Sequence, residues 1–239
     1  MPSIHPTASS DIVFISPNYK GVTKDWFQPE YWQAQGKLTH TATGRGTVWF
    51  LDSPQGAAVL RQYRRGGLIA KFNKFKFLAQ PMEQTRAFKE LALLETLQQF
   101  DLPTPTPIAG MVRREGLFYQ AWLLTKVIPK AQDLFEMLQQ HTLSMDTWRQ
   151  IGHTIKRFHD KNVYHSDLNC HNIMLDQDKK VWLIDFDKCA IKSNQGRWKK
   201  DNLERLHRSF EKELNKLNRF EFSTQAWQHL LDGYHNSQS

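Results

Sequence analysis

Cysteine is nearly missing from this chain: Cys170 and Cys189 are the whole complement among 239 residues. Two thiols cannot build a disulfide framework, and these two do not stand in C-x-x-C spacing. No run of 18 uncharged apolar residues occurs, so no helix of this sequence is expected to span a bilayer. The first basic residue is Lys20, too late for the charged head of a signal peptide. These absences predict a soluble protein of a reducing compartment. Only 12 Gly and 10 Pro exclude collagen-like and low-complexity chains, and neither an internal repeat nor a long Gly/Ser linker is found. With 40% apolar residues there is enough material for a full core, and a prior of roughly 150 residues per domain allows one or two domains.

Acidic residues are scarce in places. The totals, 32 Lys+Arg against 24 Asp+Glu, give a net charge of +8 and point to an anionic partner. From Ser53 to Met82 there is no acid, while Arg61, Arg64, Arg65, Lys71, Lys74 and Lys76 fall there. A second acid-free run, Lys188 to Lys200, carries Lys188, Lys192, Arg197, Lys199 and Lys200. Either run alone reads as a solvated loop; two of them flanking the motifs below suggest a surface for anions.

The first 40 residues give weak structural signals. After Gly44-Arg45-Gly46, the run Val48 to Leu51, the turn Asp52 to Gly56 and the run Ala57 to Tyr63 predict a glycine-headed hairpin. Phe88, Leu91, Leu94 and Leu97 recur at helical spacing within Thr85 to Phe100, and Pro103, Pro105 and Pro107 end that helix. Strands are expected over Pro107 to Val112 and Leu117 to Val127. A short helix follows around Asp133 to Gln140. A clearer helix from Asp146 to His159 carries the stripe Trp148, Ile151, Ile155 and Phe158, with Asp146 as its cap. Two short strands, Asn172 to Leu175 and Val181 to Ile184, precede a basic helix over Asn202 to Leu217. The economical architecture is α+β in two lobes. Residues 1–128 form a strand-rich lobe with the glycine loop and one helix, and residues 129–239 form a mainly helical lobe with the catalytic and metal-binding loops.

The chemistry concentrates in His165-Ser166-Asp167-Leu168-Asn169-Cys170-His171-Asn172, followed by Leu183-Ile184-Asp185-Phe186-Asp187 at the end of a strand. An Asp/Asn pair five residues apart plus a second Asp supplies hard oxygen ligands for Mg²⁺. One carboxylate is then left to orient a nucleophilic hydroxyl. The set resembles the protein-kinase-like catalytic loop H-R-D-x-x-x-x-N followed by D-F-G. That resemblance implies a two-lobed protein-kinase-like fold with a reduced C-terminal lobe. It assigns Asp167 as catalytic base, Asn172 and Asp185 as metal ligands, and ATP with Mg²⁺ as cofactors. It also places Gly44 and Gly46 in a shortened phosphate-covering loop and Arg61 at the position of the kinase lysine. Glu90 becomes the partner of Arg61, with Glu83 and Glu95 as rivals. Arginine reaches phosphates too, although its planar fork is not equivalent to an ammonium.

The departures from the kinase pattern narrow the substrate. Ser166 replaces the arginine of H-R-D, Asp187 replaces the glycine of D-F-G, and no A-P-E motif follows. A protein-substrate platform is therefore not expected, and a small-molecule or lipid-linked acceptor is. Within such kinases, Leu60-Arg61-x-Tyr63-x-Arg65-Gly66-Gly67, the Asp167-Leu-Asn-x-His-Asn172 run, Leu183 to Lys188 and Arg205-Leu-x-Arg208-Ser209 together resemble the bacterial 3-deoxy-D-manno-octulosonic acid (Kdo) kinases. These are relatives of the lipopolysaccharide core heptose kinases. The resemblance runs from about Gly44 to Glu213. It implies ATP-dependent phosphorylation of Kdo, at O4, on a lipid A precursor, by a peripheral protein at the cytoplasmic face of the inner membrane. A lipid-linked sugar and an anionic membrane surface are the implied partners, and nucleic acid is not.

Four rival readings compete, the first a pseudokinase binding module, against which the intact Asp167, Asn172 and Asp185 set argues and for which Arg61 argues slightly. Another small-molecule or protein kinase of the superfamily would share the same loops. A basic nucleic-acid-binding protein would fit the charge, but no helix-turn-helix, RNP or zinc-finger signature occurs and Asp167, Asn172 and Asp185 would be unexplained. Zinc at His165, Asp167, Cys170 and His171 lacks a second ligand pair at structural spacing. His165 reads instead as a buried brace for the loop, and Cys170 as a small hydrophobe.

Overall fold

The computed structural model describes residues 3–6, 10–43, 47–65, 74–194 and 196–236. Gly44 and Gly46, Gly66 and Gly67, and Lys71 lie outside the described residues. The chain divides into two compact units, Met1–Thr96 with Pro105–Val127, and Leu97–Thr104 with Ile128–Ser239.

The first unit is built on one antiparallel sheet. Its elements are β1 (Ser3–Pro6), β2 (Asp11–Ile15), α1 (Pro29–Ala34), β3 (Leu38–Thr43), β4 (Thr47–Ser53), β5 (Gly56–Gln62), β6 (Phe77–Leu78), α2 (Arg86–Gln99), β7 (Pro107–Glu115) and β8 (Phe118–Lys126). The strand order is β1-β2-β7-β8-β5-β4-β3, with β6 added on β8. The expected hairpin forms as β4–β5, with Val48 opposite Arg61 and Ser53 opposite Gly56. Alternation along the strands separates two faces. Val13, Ile15, Ala58 and Leu60 join Trp26, Phe27 and Trp32 in one buried cluster. Trp32 Nε1 donates to the carbonyl of Trp26 at 2.8 Å, so the indole carries no unpaired polar atom into that cluster. This is the structure of the segment whose sequence signals were weak. The intervening residues face the other way, where Phe14 meets Phe88 of α2 with ring centroids 5.3 Å apart. Leu91 and Leu94 of the expected stripe are fully buried.

The second unit follows as β9 (Gln132–Asp133), α3 (Leu134–Gln140), α4 (Met145–Asp160), β10 (Val163–Tyr164), β11 (Ile173–Leu175), β12 (Val181–Leu183), β13 (Ala190–Ile191), α5 (Trp198–Lys216) and α6 (Thr224–His235). Residues of the proline-rich connector belong here: Leu183 N–H donates to Pro103 O at 3.1 Å, and Arg157 reaches Asp101 O at 2.6 Å. Trp148, Ile151, Ile155 and Phe158 are all buried. The cap of α4 corrects the expectation. Ser144, not Asp146, accepts from the Thr147 N–H at 3.2 Å, and Asp146 pairs with Arg149 at 2.9 Å instead. The helix begins one residue early, which puts Asp146 inside its first turn rather than at its cap. Helix α5 likewise starts at Trp198, four residues before the expected Asn202.

Helix α6 carried no signal in the sequence, yet α4 packs along it backbone to backbone. A Cβ added at Gly152 would lie 1.9 Å from the carbonyl oxygen of Leu230, and one at Gly233 would lie 2.0 Å from that of Arg149. The pair is also joined through His159 Nδ1 and the Tyr234 hydroxyl at 2.7 Å. Burial holds the His159 imidazole down to about 4 and pushes the Tyr234 phenol up to about 12.

Two predictions follow from this contact. Gly152→Ala forces the helices apart and costs about 3 kcal/mol, whereas the exposed change Gln150→Ala is close to neutral; urea unfolding measures both, and equal midpoints would refute the close-approach argument. For His159, the unfolded imidazole takes a proton near its ordinary value of 6.5 and the folded one only near 4. Stability present above pH 6.5 is therefore lost as pH falls toward 4. Thermal melts between those limits should show a shallower slope for His159→Gln than for the unchanged protein, and an identical slope would remove His159 from the account.

Candidate active site

In the first unit, β5 presents Arg61 and Tyr63 on the face opposite Leu60, toward α2. Arg61 Nη2 meets Glu90 Oε1 at 2.5 Å, and the Tyr63 hydroxyl donates to Glu90 Oε2 at 2.6 Å. Glu90 is only 3% exposed, so both of its oxygens are satisfied by partners that a buried carboxylate requires. Arg61 keeps about a quarter of its side chain open, 26%, enough for its guanidinium to meet a ligand as well. Of the three candidate acids, Glu90 is the one that pairs with Arg61. Arg86 and Tyr63 were not singled out for this site by their sequence context. Arg86 lies over the Tyr63 ring at 5.3 Å and the Phe77 ring at 4.9 Å, and burial lowers its pKa.

In the second unit, the Asp167 segment is held by polar groups taken out of water. His165 is buried; its Nε2 donates to Ile184 O at 3.0 Å and its Nδ1 accepts from the Asp167 N–H at 3.3 Å. Those two bonds require the neutral ring, and burial lowers its pKa in the same direction. The backbone carbonyl of Asp167 accepts from Asn169 Nδ2 and from Asn172 Nδ2, each at 2.9 Å. Asn169 Oδ1 in turn accepts from the His171 N–H at 2.9 Å. So the two asparagines of Asp-Leu-Asn-x-His-Asn close the loop on its own main chain. Leu168 and Cys170 anchor it in the core; burial pushes the Cys170 thiol up to about 11, consistent with a small inert hydrophobe.

The hairpin of β11 and β12 brings the second acid alongside. Ile173 stands opposite Leu183, and the Ile184 N–H donates to Asn172 O at 3.0 Å. Asp185 then follows with φ +62°, a left-handed turn that a non-glycine residue adopts at a cost of about 1–2 kcal/mol. Phe186 is buried between His165, 5.0 Å away, and Phe158, 5.9 Å away. The departures from the kinase pattern have physical partners. Ser166 Oγ donates to the backbone carbonyl of Asp187 at 2.7 Å, and the Ser166 N–H meets Cys189 Sγ at 3.2 Å. The serine thus ties the two loops where a kinase carries arginine.

Helix α5 supplies supports to which the sequence assigned no role: Arg205 and Ser209 stood only in the run that carries the resemblance, and Asn202 and Glu213 carried no signal as site residues. Asn202 bridges the backbone of His165, accepting from its N–H at 3.2 Å and donating to its carbonyl at 2.9 Å. Ser209 Oγ accepts from the Cys170 N–H at 3.1 Å, and Glu213 approaches His171 at 3.6 Å. Arg205 sits 3.5 Å from the Asp167 carboxylate, both groups about half exposed. The spacing 202, 205, 209, 213 is a helical stripe, visible only once its target is known.

Asn172 uses its Nδ2 on the loop, so its Oδ1 is the oxygen available to a cation. With the Asp185 carboxylate the donor set is oxygen only and would suit a hard divalent ion such as Mg²⁺. Among the described residues no group of three His, Cys, Asp or Glu side chains gathers at metal-binding distance. The remaining ligands of such an ion would have to come from phosphate or water, as they do in phosphoryl transfer.

Comparison with known proteins identifies the family. The family described as lipopolysaccharide kinase (Kdo/WaaP) matches residues 29–234. A 3-deoxy-D-manno-octulosonic acid kinase of Vibrio vulnificus (strain CMCP6) is 46% identical over 212 residues, 89% of either chain. A protein of the same name from Haemophilus influenzae (strain 86-028NP) is 46% identical over 219 residues, covering 88% of this chain and 90% of its own. Another, from Vibrio cholerae serotype O1, is 46% identical over 188 residues, 79% of this chain and 80% of its own. With the match spanning both the Arg61–Glu90 pair and the Asp167 to Asp185 loops, the chain belongs to the lipopolysaccharide kinase (Kdo/WaaP) family.

Proposed function

We propose that this protein is a Kdo kinase of lipopolysaccharide biosynthesis that moves the γ-phosphoryl group of ATP to O4 of a Kdo residue on a lipid A precursor. The reading is carried by the Asp167, Asn172 and Asp185 set on a loop fixed by buried polar groups, in a chain nearly half identical to proteins bearing that name. O4 and the lipid A precursor come from the family resemblance alone. A lipid-borne acceptor also means working at the cytoplasmic face of the inner membrane, as a peripheral protein on an anionic surface. No helix among the described residues is long and apolar enough to cross a membrane, which accords with that placement.

Each residue then has a task. Asp167 orients the sugar hydroxyl and takes its proton as the oxygen–phosphorus bond forms and the bond to the leaving nucleotide breaks. Arg205, beside that carboxylate, helps to aim it. Asn172 and Asp185 would hold a divalent cation, which would supply charge neutralisation at the nucleotide phosphates. The family resemblance assigns contact with nucleotide phosphates to Arg61, which Glu90 fixes, and to Gly44 and Gly46. Phosphoryl transfer asks for little beyond such placement, and rigid placement is what the buried histidine and the α5 stripe provide.

The direct test is mass spectrometry of a Kdo-bearing lipid A precursor after incubation with protein, ATP and Mg²⁺. A gain of one phosphate at O4 of Kdo is expected; phosphorylation elsewhere, or none, would overturn the assignment. In Asp167→Ala the same assay should show turnover lower by roughly 10²–10⁴-fold. Folding should survive, because the loop bonds use the Asp167 backbone carbonyl rather than its carboxylate. Near-normal turnover in that variant would remove Asp167 from the chemistry. Asp185→Asn exchanges a carboxylate for a neutral amide, a poorer ligand for a hard cation. Nucleotide binding measured with and without Mg²⁺ should lose its metal dependence in this variant; an unchanged metal effect would mean Asp185 is not the ligand.

A further inference from the structure

Helix α5 has two distinct faces. Asn202, Arg205, Ser209 and Glu213 fasten the Asp167 segment. Lys199, Leu203 and His207, four residues apart on another face, line a groove shared with α6, about 610 Å³ in volume. The roles assigned above use nothing in this groove. Its floor is apolar and aromatic, made by Leu203, Trp227, Leu231 and Tyr234. Trp227 is half-buried and lies on His207 with ring centroids 4.5 Å apart. The rim is cationic: among the described residues that line it, Lys199, Lys200 and Arg208 accompany one carboxylate, Glu204. That carboxylate is shared by Lys200 at 3.7 Å and Arg208 at 3.8 Å, both exposed. The acid-free run ending at Lys200 delivers its last two lysines to this rim.

An apolar floor under a rim of one sign fits a ligand that is apolar at one end and anionic at the other. A free sugar phosphate would leave Trp227 and Leu231 unmatched. Trp and Tyr beside Lys and Arg is also the composition that settles at lipid headgroups. We propose that the α5–α6 groove seats an anionic phospholipid of the bilayer. Its phosphate lies among Lys199, Lys200 and Arg208, and its glycerol and first acyl carbons lie on Leu203, Trp227 and Leu231. The inference rests on the reading of the acceptor as membrane-borne: a lipid held here would anchor the helix that also fastens the catalytic loop.

The test is co-sedimentation of the full chain with phosphatidylcholine vesicles, with and without phosphatidylglycerol. Binding should require phosphatidylglycerol, and the double variant Lys199→Glu/Lys200→Glu should weaken it by at least about tenfold. Should that variant melt early, Arg208→Glu, an exposed change on the same rim, provides the same comparison. Trp227→Ala should weaken binding at a salt concentration that already screens the rim charges. Glycerol phosphate should compete poorly, since it lacks the acyl carbons. Vesicle binding indifferent to the rim variants, equal competition by glycerol phosphate, or displacement by single-stranded DNA dependent on the same lysines would each overturn the proposal. Phosphorylation of a water-soluble Kdo sugar by the unchanged protein separates the two readings. If it occurs while vesicle binding ignores the groove, the groove proposal alone fails; if vesicle binding behaves as expected and no Kdo is phosphorylated, the function reading alone fails.

Discussion

The neutral imidazole of His165 is the constraint on which the loops of the second unit depend. It is buried, so it must satisfy both nitrogens within the protein, and it does so with one carbonyl and one N–H from two separate loops. The carbonyl belongs to Ile184, directly before Asp185, and the N–H belongs to Asp167. One ring therefore sets the spacing between the residue that would receive a proton and the residue that would hold a cation. Protonation would remove the acceptor at Nδ1, and burial opposes it.

Around that ring the support is layered by chemistry. Apolar contacts fix position: Phe186 on Phe158 and on His165, with Leu168 and Cys170 anchored in the core. Side-chain amides then fix direction, Asn169 and Asn172 onto the Asp167 carbonyl and Asn202 onto both backbone groups of His165. The strained turn at Asp185 is tolerated because its neighbours on either side are already bound. Rigid support of this kind leaves the functional oxygens preoriented rather than dependent on ligand binding for their arrangement.

The first unit solves a similar problem with charge. Glu90 is buried and would be costly alone; Arg61 and Tyr63 complete it from a neighbouring strand. The substitution of arginine for the kinase lysine suits that arrangement. A guanidinium carries five N–H donors in a rigid fork that matches a carboxylate such as Glu90.

Sequence alone reached the elements whose signal is local. The β4–β5 hairpin, α2 and α4 follow from two- and fourfold periodicity and turn residues, and the Asp167 to Asp185 set follows from spacing within a short stretch. The acid paired with Arg61 was one of three by sequence; the folded structure brings Glu90 of α2 to it. The cap of α4 was misassigned by two residues, since Ser144 and Asp146 are both capping residues and only the entering chain direction distinguishes them. The aromatic cluster of Trp26, Phe27 and Trp32, helix α6, and the stripe Asn202, Arg205, Ser209 and Glu213 were not legible. Each derives its meaning from a partner far away in the chain, a sheet face, the backbone of Gly152, or a loop some 40 residues earlier. Local chemistry is written in neighbouring residues; which surfaces meet is decided only when the folded chain buries them together.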